Sequence, residues 1–325
     1  MREPKSVKRF FLTAILIISS LEITLRIGGY LYLNRLYIEL FKNLKPCTDN
    51  INIVCLGESS TAGLWVDFED SYPRQLERKL RNRYSNKNIN VIVPPHVGQN
   101  TSQVFNRIRQ YIDLYKPKLI VLMVGVNNEW SLAESHIGKF LNCNTKEALR
   151  IKALTMFENL RLFRALRYVF LRFIVFERSE YVDRNKLYAL GHPELVRVPA
   201  EPWVYSFAAK NKDAFMKLWR YDLKNIIAEA KKNKIPVMLL TYHINPTYLP
   251  IEEFIAIAEE FTLPLVRNDK TFEKLREQGI LMKYLLADNW HPNKDGYALI
   301  SENVFDCIKN NDVLGINKSE NRNSQ

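Results

Sequence analysis

Five short runs of apolar, mostly β-branched residues are spaced along the chain. They lie at residues 51–56, 89–93, 119–124, 237–241 and 263–266. Before each of the last four runs, apolar residues recur every three or four positions, which is the spacing of one helix face. Strands that alternate with helices form a parallel sheet with both faces covered. The sequence therefore predicts an α/β fold built on five parallel strands.

Composition limits the kinds of partner. The 325 residues are 47% hydrophobic, enough for a sizeable core, and the net charge of +12 suits an anionic membrane, an acidic glycan or nucleic acid. Nucleic acid is not expected, because zinc-finger spacing and RNA-binding aromatic motifs are missing from the sequence. Only 11 Gly, and 4 Cys without a CxxC pair, argue against a nucleotide cofactor and a metal site. We expect no cofactor.

The N-terminal segment is apolar over residues 10–30, roughly the 20 residues that cross a bilayer. Glu22 and Arg26 interrupt it four positions apart, so they can pair on one helix face. No small-residue cleavage site follows, which favours an uncleaved single-pass anchor within residues 1–45 over a cleaved signal peptide or a surface-lying helix. Basic residues before the span predict an extracytoplasmic remainder. These residues are Arg2, Lys5, Lys8 and Arg9.

A long segment at about residues 129–211 interrupts the alternation after the third strand and predicts a helical insertion. Within it, residues 149–176 have an arginine-rich helical pattern with two interpretations. In the first, the helical stretch packs on the sheet domain and its arginines are solvated. In the second, it caps the ligand site or lies on anionic lipid headgroups. We divide the chain into a membrane segment (1–45), the α/β domain (46–311) and a polar, disordered tail (312–325).

Polar residues follow the predicted strands. Ser59 follows the first run, Gly98 the second and Asn127 the third. Asp288 and His291 follow the fifth, on a loop before the last helix. Ligands bind parallel sheets beyond the carboxyl ends of the strands, so these residues are expected at one edge. A serine nucleophile needs a base, and the base needs a partner that fixes its tautomer. Ser59, His291 and Asp288 can form that unit.

Four sequence blocks, in this order, resemble those of the SGNH (GDSL-type) esterase and lipase family. The blocks are Gly-Glu-Ser-Ser-Thr at 57–61, His-Val-Gly-Gln-Asn-Thr-Ser at 96–102, Gly-Val-Asn-Asn at 125–128 and Asp-Asn-Trp-His-Pro at 288–292. The resemblance covers roughly residues 50–128 and 212–309. The last block is fairly specific, and the ordered set of four is much more so than any one block.

The resemblance implies a flavodoxin-like, three-layer α/β/α fold and a role for each matched residue. Ser59 would be the nucleophile, His291 the base and Asp288 its partner. The oxyanion donors would be the Ser59 amide, the Gly98 amide and the Asn127 side chain. Donors aimed at the developing oxyanion supply a large share of the rate in acyl transfer.

Two positions depart from the family pattern. Glu58 stands where the family has Asp, and Asn128 stands where the third block ends in an acidic residue. In the family, the residue at position 58 does not carry a proton, so this change leaves activity possible. The change at Asn128 is expected to alter the geometry of its loop.

The resulting hypothesis is a membrane-anchored hydrolase of carboxylic esters that works through an acyl-enzyme, without metal or organic cofactor. Its substrate would be an acyl lipid or an O-acetylated glycan. Two alternatives stay open. The same residues could move acetyl groups onto or off a surface polysaccharide, or the changes at Glu58 and Asn128 could mark a non-catalytic binding module.

Overall fold

The centre of the molecule is a parallel sheet with the strand order β2-β1-β3-β4-β5. A computed structural model describes residues 5–41, 50–63, 65–94, 99–129, 131–142, 144–157, 160–170, 202–246 and 248–315. The order is flavodoxin-like, and the predicted α/β class and five-stranded sheet are confirmed. The strands are β1 (Ile51–Gly57), β2 (Ile89–Ile92), β3 (Leu119–Met123), β4 (Val237–Leu240) and β5 (Leu265–Val266).

Helices cover both faces of the sheet. On one face α3 packs against α11, and on the other α4 packs against α8. Helix α9 joins the second layer, where the Phe254 ring lies 4.9 Å from Trp219 of α8. The described helices are α1 (Lys5–Phe41), α2 (Ser59–Ala62), α3 (Tyr72–Arg83), α4 (Thr101–Tyr115), α5 (Lys146–Phe157), α6 (Arg161–Phe170), α7 (Pro202–Lys210), α8 (Lys212–Lys232), α9 (Ile251–Phe261), α10 (Asn268–Glu277) and α11 (Lys294–Asn310).

The edge strand β5 is shorter than the predicted run at 263–266. The Leu263 N–H donates to the carbonyl of Ala258 at 2.8 Å and closes α9. Pro264 has no N–H to donate, so only Leu265–Val266 pairs with β4. The apolar run therefore serves two elements, the end of a helix and the beginning of a strand.

Helix α10 has no counterpart in the sequence prediction. Its ten residues include only two large apolar side chains, Phe272 and Leu275, which is too few for a periodic pattern. Phe272 is fully buried and fixes the helix on the core. The last helix begins after Asn293, which is its cap: the Asn293 side chain accepts from the backbone N–H groups of Asp295 and Gly296.

Within the insertion, the described part of the helical pattern predicted at residues 149–176 forms two helices. Helix α5 ends at Phe157, and α6 begins at Arg161. The carboxylate of Glu22 on α1 accepts from the N–H groups of Arg161 and Leu162 at 3.0 and 2.8 Å. An anionic side chain at this position caps the first turn of α6, which explains the new helix start.

Both described helices of the first part of the insertion are tied to the rest of the protein. Helix α5 packs on a short turn after β3 through the fully buried Ile151. On α6, Arg164 forms an ion pair with Glu134, which also forms an ion pair with Arg107 of α4. Arg164 is therefore a bridging residue, in contrast to the interpretation in which all the arginines are solvated. Residues 171–201, where the predicted helical stretch ends, lie outside the described residues.

Helix α1 contains the one segment of the described residues that is long and apolar enough to cross a membrane. This segment runs from Lys8 to Leu31, has a mean hydropathy of 1.9 and is not buried by the rest of the protein. Glu22 and Arg26 form the ion pair that their spacing predicts, at 2.7 Å.

After α11 the chain makes a further turn before the described part ends. The Val313 N–H donates to the carbonyl of Ile308 at 3.3 Å, and Val313 and Leu314 are half-buried against the core. Of the polar tail predicted at residues 312–325, residues 316–325 lie outside the described residues.

Gly57 ends β1 where that strand runs beside β3, opposite Met123. A Cβ atom at this position would lie 1.9 Å from Thr61 Oγ1 and 2.7 Å from the Met123 carbonyl oxygen. Only glycine therefore allows the chain to turn from β1 into α2 this close to its neighbour strand.

We predict that Gly57→Ala lowers the free energy of unfolding by about 3 kcal/mol, because an added methyl group must displace backbone atoms in a closely packed site. Gly279→Ala is the control: its Cβ would meet open space, and a backbone φ of 72° adds strain alone. Urea unfolding of both variants measures the difference. Equal losses would contradict the close contact at Gly57.

Candidate active site

Ser59 is the first residue of the short helix α2, directly beyond the carboxyl end of β1. The turn is fixed by the N–H groups of Thr61 and Ala62, which both donate to the Glu58 carbonyl at 2.9 Å. Ser59 itself is half-buried. Because the first N–H groups of a helix have no acceptor within it, the Ser59 amide is available to a ligand.

The loop that carries Asp288 and His291 is organised by one carboxylate. Asp288 Oδ1 accepts from the N–H groups of Trp290 at 3.0 Å and His291 at 2.9 Å, and Oδ2 contacts His291 Nδ1. Between them, Asn289 has a φ of 57°, a left-handed conformation that Asn tolerates better than most residues. The loop holds its shape before any ligand binds.

Burial raises the cost of charge on Asp288, but its hydrogen bonds outweigh that cost. The contact with the His291 ring and the N–H groups of Trp290 and His291 hold the pKa of this carboxyl below its ordinary value. Asp288 is therefore ionised at neutral pH and keeps the Nδ1 proton of His291 directed towards itself.

Ser59, His291 and Asp288 form one continuous chain of hydrogen bonds. The second ring nitrogen of His291, Nε2, lies 2.9 Å from Ser59 Oγ. With the Nδ1 proton held by Asp288, Nε2 is the free acceptor for the serine proton. Residues more than two hundred positions apart thus meet in an arrangement suited to nucleophilic attack by a serine.

Asn127 lies on the neighbouring loop, beyond the carboxyl end of β3. Its Nδ2 atom is buried and has no hydrogen-bond partner among the described residues. A buried donor without a partner is costly, which is expected where a ligand oxygen completes the site. Gly98 and its neighbour His96, which follow β2, lie outside the described residues, so the structure leaves the predicted Gly98 donor untested.

Three aromatic side chains hold the backbone of the Asn127 loop. Trp219 Nε1 donates to the Val124 carbonyl at 2.9 Å, and the Tyr248 hydroxyl donates to the Gly125 carbonyl at 2.7 Å. The Val126 N–H donates to the Tyr242 hydroxyl at 3.2 Å. The Asn127 side chain is therefore carried on a fixed backbone.

Glu58, one of the two departures from the family pattern, is fully buried beside Ser59. Its carboxyl oxygen Oε1 is hydrogen-bonded to the Tyr242 hydroxyl, the group that also accepts from Val126. Burial raises the pKa of Glu58 to about 8, against the hydrogen bond from Tyr242. Glu58 is therefore mostly protonated at neutral pH and connects the serine turn to the Asn127 loop without charge.

His243 supports the His291 loop through contacts with Trp290, a role that the sequence does not predict. It lies shortly beyond the end of β4 at Leu240, and its Nε2 is hydrogen-bonded to the Trp290 carbonyl oxygen. Its ring packs between Phe272 and Trp290, at 5.3 and 5.9 Å. Burial lowers the pKa of His243 to about 4, so the ring is neutral and donates this bond. Its position at a strand end is the only sequence signal.

Metal ligands do not cluster in this site: the described residues contain no group of three or more His, Cys, Asp or Glu side chains able to hold an ion.

The sequence profile of the GDSL-like Lipase/Acylhydrolase family matches residues 55–299. The chain belongs to this family. It is accordingly a carboxylic ester hydrolase, and its sheet and helices form the α/β/α fold of SGNH proteins. No curated protein sequence matches the chain.

Several solved structures are similar to this GDSL-like esterase. The psychrotrophic esterase EstA from Pseudoalteromonas sp. is 15% identical, over 80% of this chain and 97% of that one, with a TM-score of 0.45. TesA is 17% identical, over 79% and 98%, with a TM-score of 0.45. The lipase/acylhydrolase from Enterococcus faecalis is 16% identical, over 80% and 96%, with a TM-score of 0.45.

The raised pKa of Glu58 predicts how the stability of the GDSL-like esterase depends on pH. The unfolded chain loses this proton near the ordinary value of a Glu, whereas the folded protein keeps it up to about pH 8. Between these values the folded state binds more protons. The free energy of unfolding therefore falls as pH rises through this interval, and the contribution is complete below it.

We predict that Glu58→Gln flattens this pH dependence between mild acid and about pH 8, because the amide keeps the size of the side chain and cannot ionise. Urea unfolding at several pH values measures the slope. Glu273→Gln, on the exposed surface of α10, serves as the control and should leave the wild-type slope unchanged. A wild-type slope in Glu58→Gln would show that another group carries the dependence.

Proposed function

We propose that Ser59, His291 and Asp288 are the catalytic triad of this esterase. The observation that carries the proposal is the hydrogen-bond chain in which His291 lies between Ser59 Oγ, at 2.9 Å, and the Asp288 carboxylate. In this arrangement the base can take the serine proton, and Asp288 stabilises the imidazolium that forms.

The reaction follows from these positions. Ser59 Oγ attacks the ester carbonyl while His291 takes its proton, and a tetrahedral oxyanion forms. The oxyanion accepts hydrogen bonds from the Ser59 amide and from Asn127 Nδ2, the buried donor that lacks a partner among the described residues. His291 returns the proton to the leaving alcohol, and the acyl group stays on Ser59. Water activated by His291 then releases the acid.

The Gly98 amide is the third proposed oxyanion donor. This role comes from the resemblance of residues 96–102 to the second family block, because Gly98 itself lies outside the described residues. Glycine suits the role, since a substrate oxygen can approach a backbone without Cβ closely.

We propose an acyl lipid or an O-acetylated glycan as the substrate. Helix α1 and the net charge of +12 suit a substrate held at an anionic membrane, and an exported enzyme would also meet acetylated sugars. The length of acyl chain that the enzyme accepts separates these substrates. Transfer of the acyl group to a glycan and simple binding without turnover are the competing outcomes.

The decisive variant is Ser59→Ala. We predict that hydrolysis of p-nitrophenyl esters, from acetate to decanoate, falls by a factor of about 10⁶ in the full chain, as for loss of a catalytic serine. Covalent labelling by an active-serine phosphonate should disappear with it. Ser60→Ala, which alters the adjacent buried serine, should keep the label.

The outcomes separate the candidate functions. Preference for acetate supports a deacetylase, and preference for long chains supports a lipase. A labelled protein that hydrolyses none of these esters, but acetylates an added glycan, supports an acyltransferase. A label that persists in Ser59→Ala would overturn the assignment of the nucleophile, and a wild type without label or turnover would support a binding module.

We further propose that α1 is an uncleaved single-pass anchor with the catalytic domain on the extracytoplasmic side. In this proposal residues 1–45 form the membrane segment, residues 46–311 the hydrolase domain with its insertion at about 129–211, and residues 312–325 a tail. The support is the exposed apolar segment from Lys8 to Leu31 and the basic residues before it.

We predict that the full chain stays in the membrane fraction after alkaline carbonate extraction. Ile15→Arg/Ile18→Arg should release it, because each arginine at the centre of a span costs about 3 kcal/mol. Met282→Arg, at an exposed apolar position of the catalytic domain, is the matched control and should stay bound. A mature chain shortened at its N-terminus, found by mass spectrometry, would show a cleaved signal peptide. Protease accessibility on sealed spheroplasts reports the side of the domain.

A further inference from the structure

A fully buried carboxylate, Asp222, lies behind the loop that carries the proposed oxyanion donor Asn127. It belongs to α8, and its Oδ2 accepts from Thr101 Oγ1 at 2.8 Å and from Ser102 Oγ at 2.6 Å. Its Oδ1 lies 2.7 Å from Nδ1 of His136, whose backbone N–H also donates to Ser102 Oγ at 2.9 Å. A buried charge is tolerated when it has this many donors.

The Asp222 contacts reach the loop of Asn127 through one residue. Thr101 opens α4, the helix that follows the loop of Gly98, and its N–H donates to Asn128 Oδ1 at 2.9 Å. The Thr101 hydroxyl lies 3.1 Å from the same Asn128 oxygen and 2.8 Å from Asp222. One hydroxyl proton serves one acceptor, and the closer, charged oxygen of Asp222 is the stronger one.

Position 128 is where the third family block ends in an acidic residue, and this chain has a neutral amide there. The Asn128 oxygen keeps the role of acceptor for the Thr101 N–H, while the Asn128 Nδ2 atom is buried without a hydrogen-bond partner in the described part of the chain. A carboxylate at both positions 128 and 222 would place two like charges around Thr101, which raises the cost of ionising either one.

We propose that Asp222 is a positioning residue that supplies from α8 the negative charge missing at Asn128. Asp222 fixes the first turn of α4, Thr101 joins that turn to Asn128, and Asn128 adjoins the oxyanion donor Asn127. His136 contacts Asp222 from the solvent side, where the His136 side chain is 19% exposed. This role rests on the proposed function, because it acts on the loops that would hold the oxyanion.

The test is a charge exchange in the full chain, with p-nitrophenyl acetate as the probe. Asp222→Asn should lower kcat about 10- to 100-fold through misplaced donors, with KM changed less than about threefold. Asn128→Asp alone should also lower kcat, because it adds a second buried carboxylate. The double variant Asn128→Asp/Asp222→Asn should regain about tenfold in kcat over Asp222→Asn, because one carboxylate is restored.

Asp213→Asn is the control, since Asp213 lies on the exposed first turn of the same helix. Wild-type kcat in Asp222→Asn, or a double variant no faster than Asp222→Asn, would overturn the positioning role. Should Asp222→Asn fail to fold, a folded Asn128→Asp variant with undiminished kcat would overturn it equally. An inactive wild type that the phosphonate also fails to label would instead remove the proposed function, and this role with it.

Discussion

The parallel pairing of β1 with β3 is the constraint on which the rest of the site depends. It sets Gly57 opposite Met123, so the turn carrying Ser59 and the loop carrying Asn127 leave the sheet side by side. Two parallel strands cannot end in register without bringing their following loops together. The distance between Ser59, the proposed nucleophile, and Asn127, a proposed oxyanion donor, is therefore set mainly by backbone hydrogen bonding, and side chains adjust it.

The refinement is made by buried polar groups that are mostly neutral. Tyr242 joins protonated Glu58 to the backbone of Val126, and neutral His243 donates a hydrogen bond to the Trp290 carbonyl. Neutral groups hold loops in place without the desolvation cost of buried charge and without adding a field at the reacting atoms. Charge is concentrated instead in Asp288, which contacts the His291 ring, and in Asp222, where several donors compensate it.

The features that could be predicted from the sequence are those encoded in short local patterns of residues. Uninterrupted apolar runs identified the strands, and strand ends brought Ser59, Asn127 and His291 to one edge. The supports were not predictable, because Asp222 and His243 are single polar residues whose meaning depends on partners far away in the chain. A long-range contact decided one helix boundary, because a carboxylate on α1 caps the first turn of α6. The short β5 has a local cause, Pro264, which a pattern based on apolar residues alone does not take into account.

Helix α6 is held at two points, by Glu22 of α1 at its first turn and by Glu134 near the Asn127 loop through Arg164. A domain joined to its anchor by a linker alone would swing on that linker and reach substrates at many heights. A second attachment through α6 removes that freedom. With α1 in a bilayer as proposed, Glu22 lies within the span, so the first turn of α6 would enter the lipid beside it, and the enzyme would search for substrate by diffusion in two dimensions.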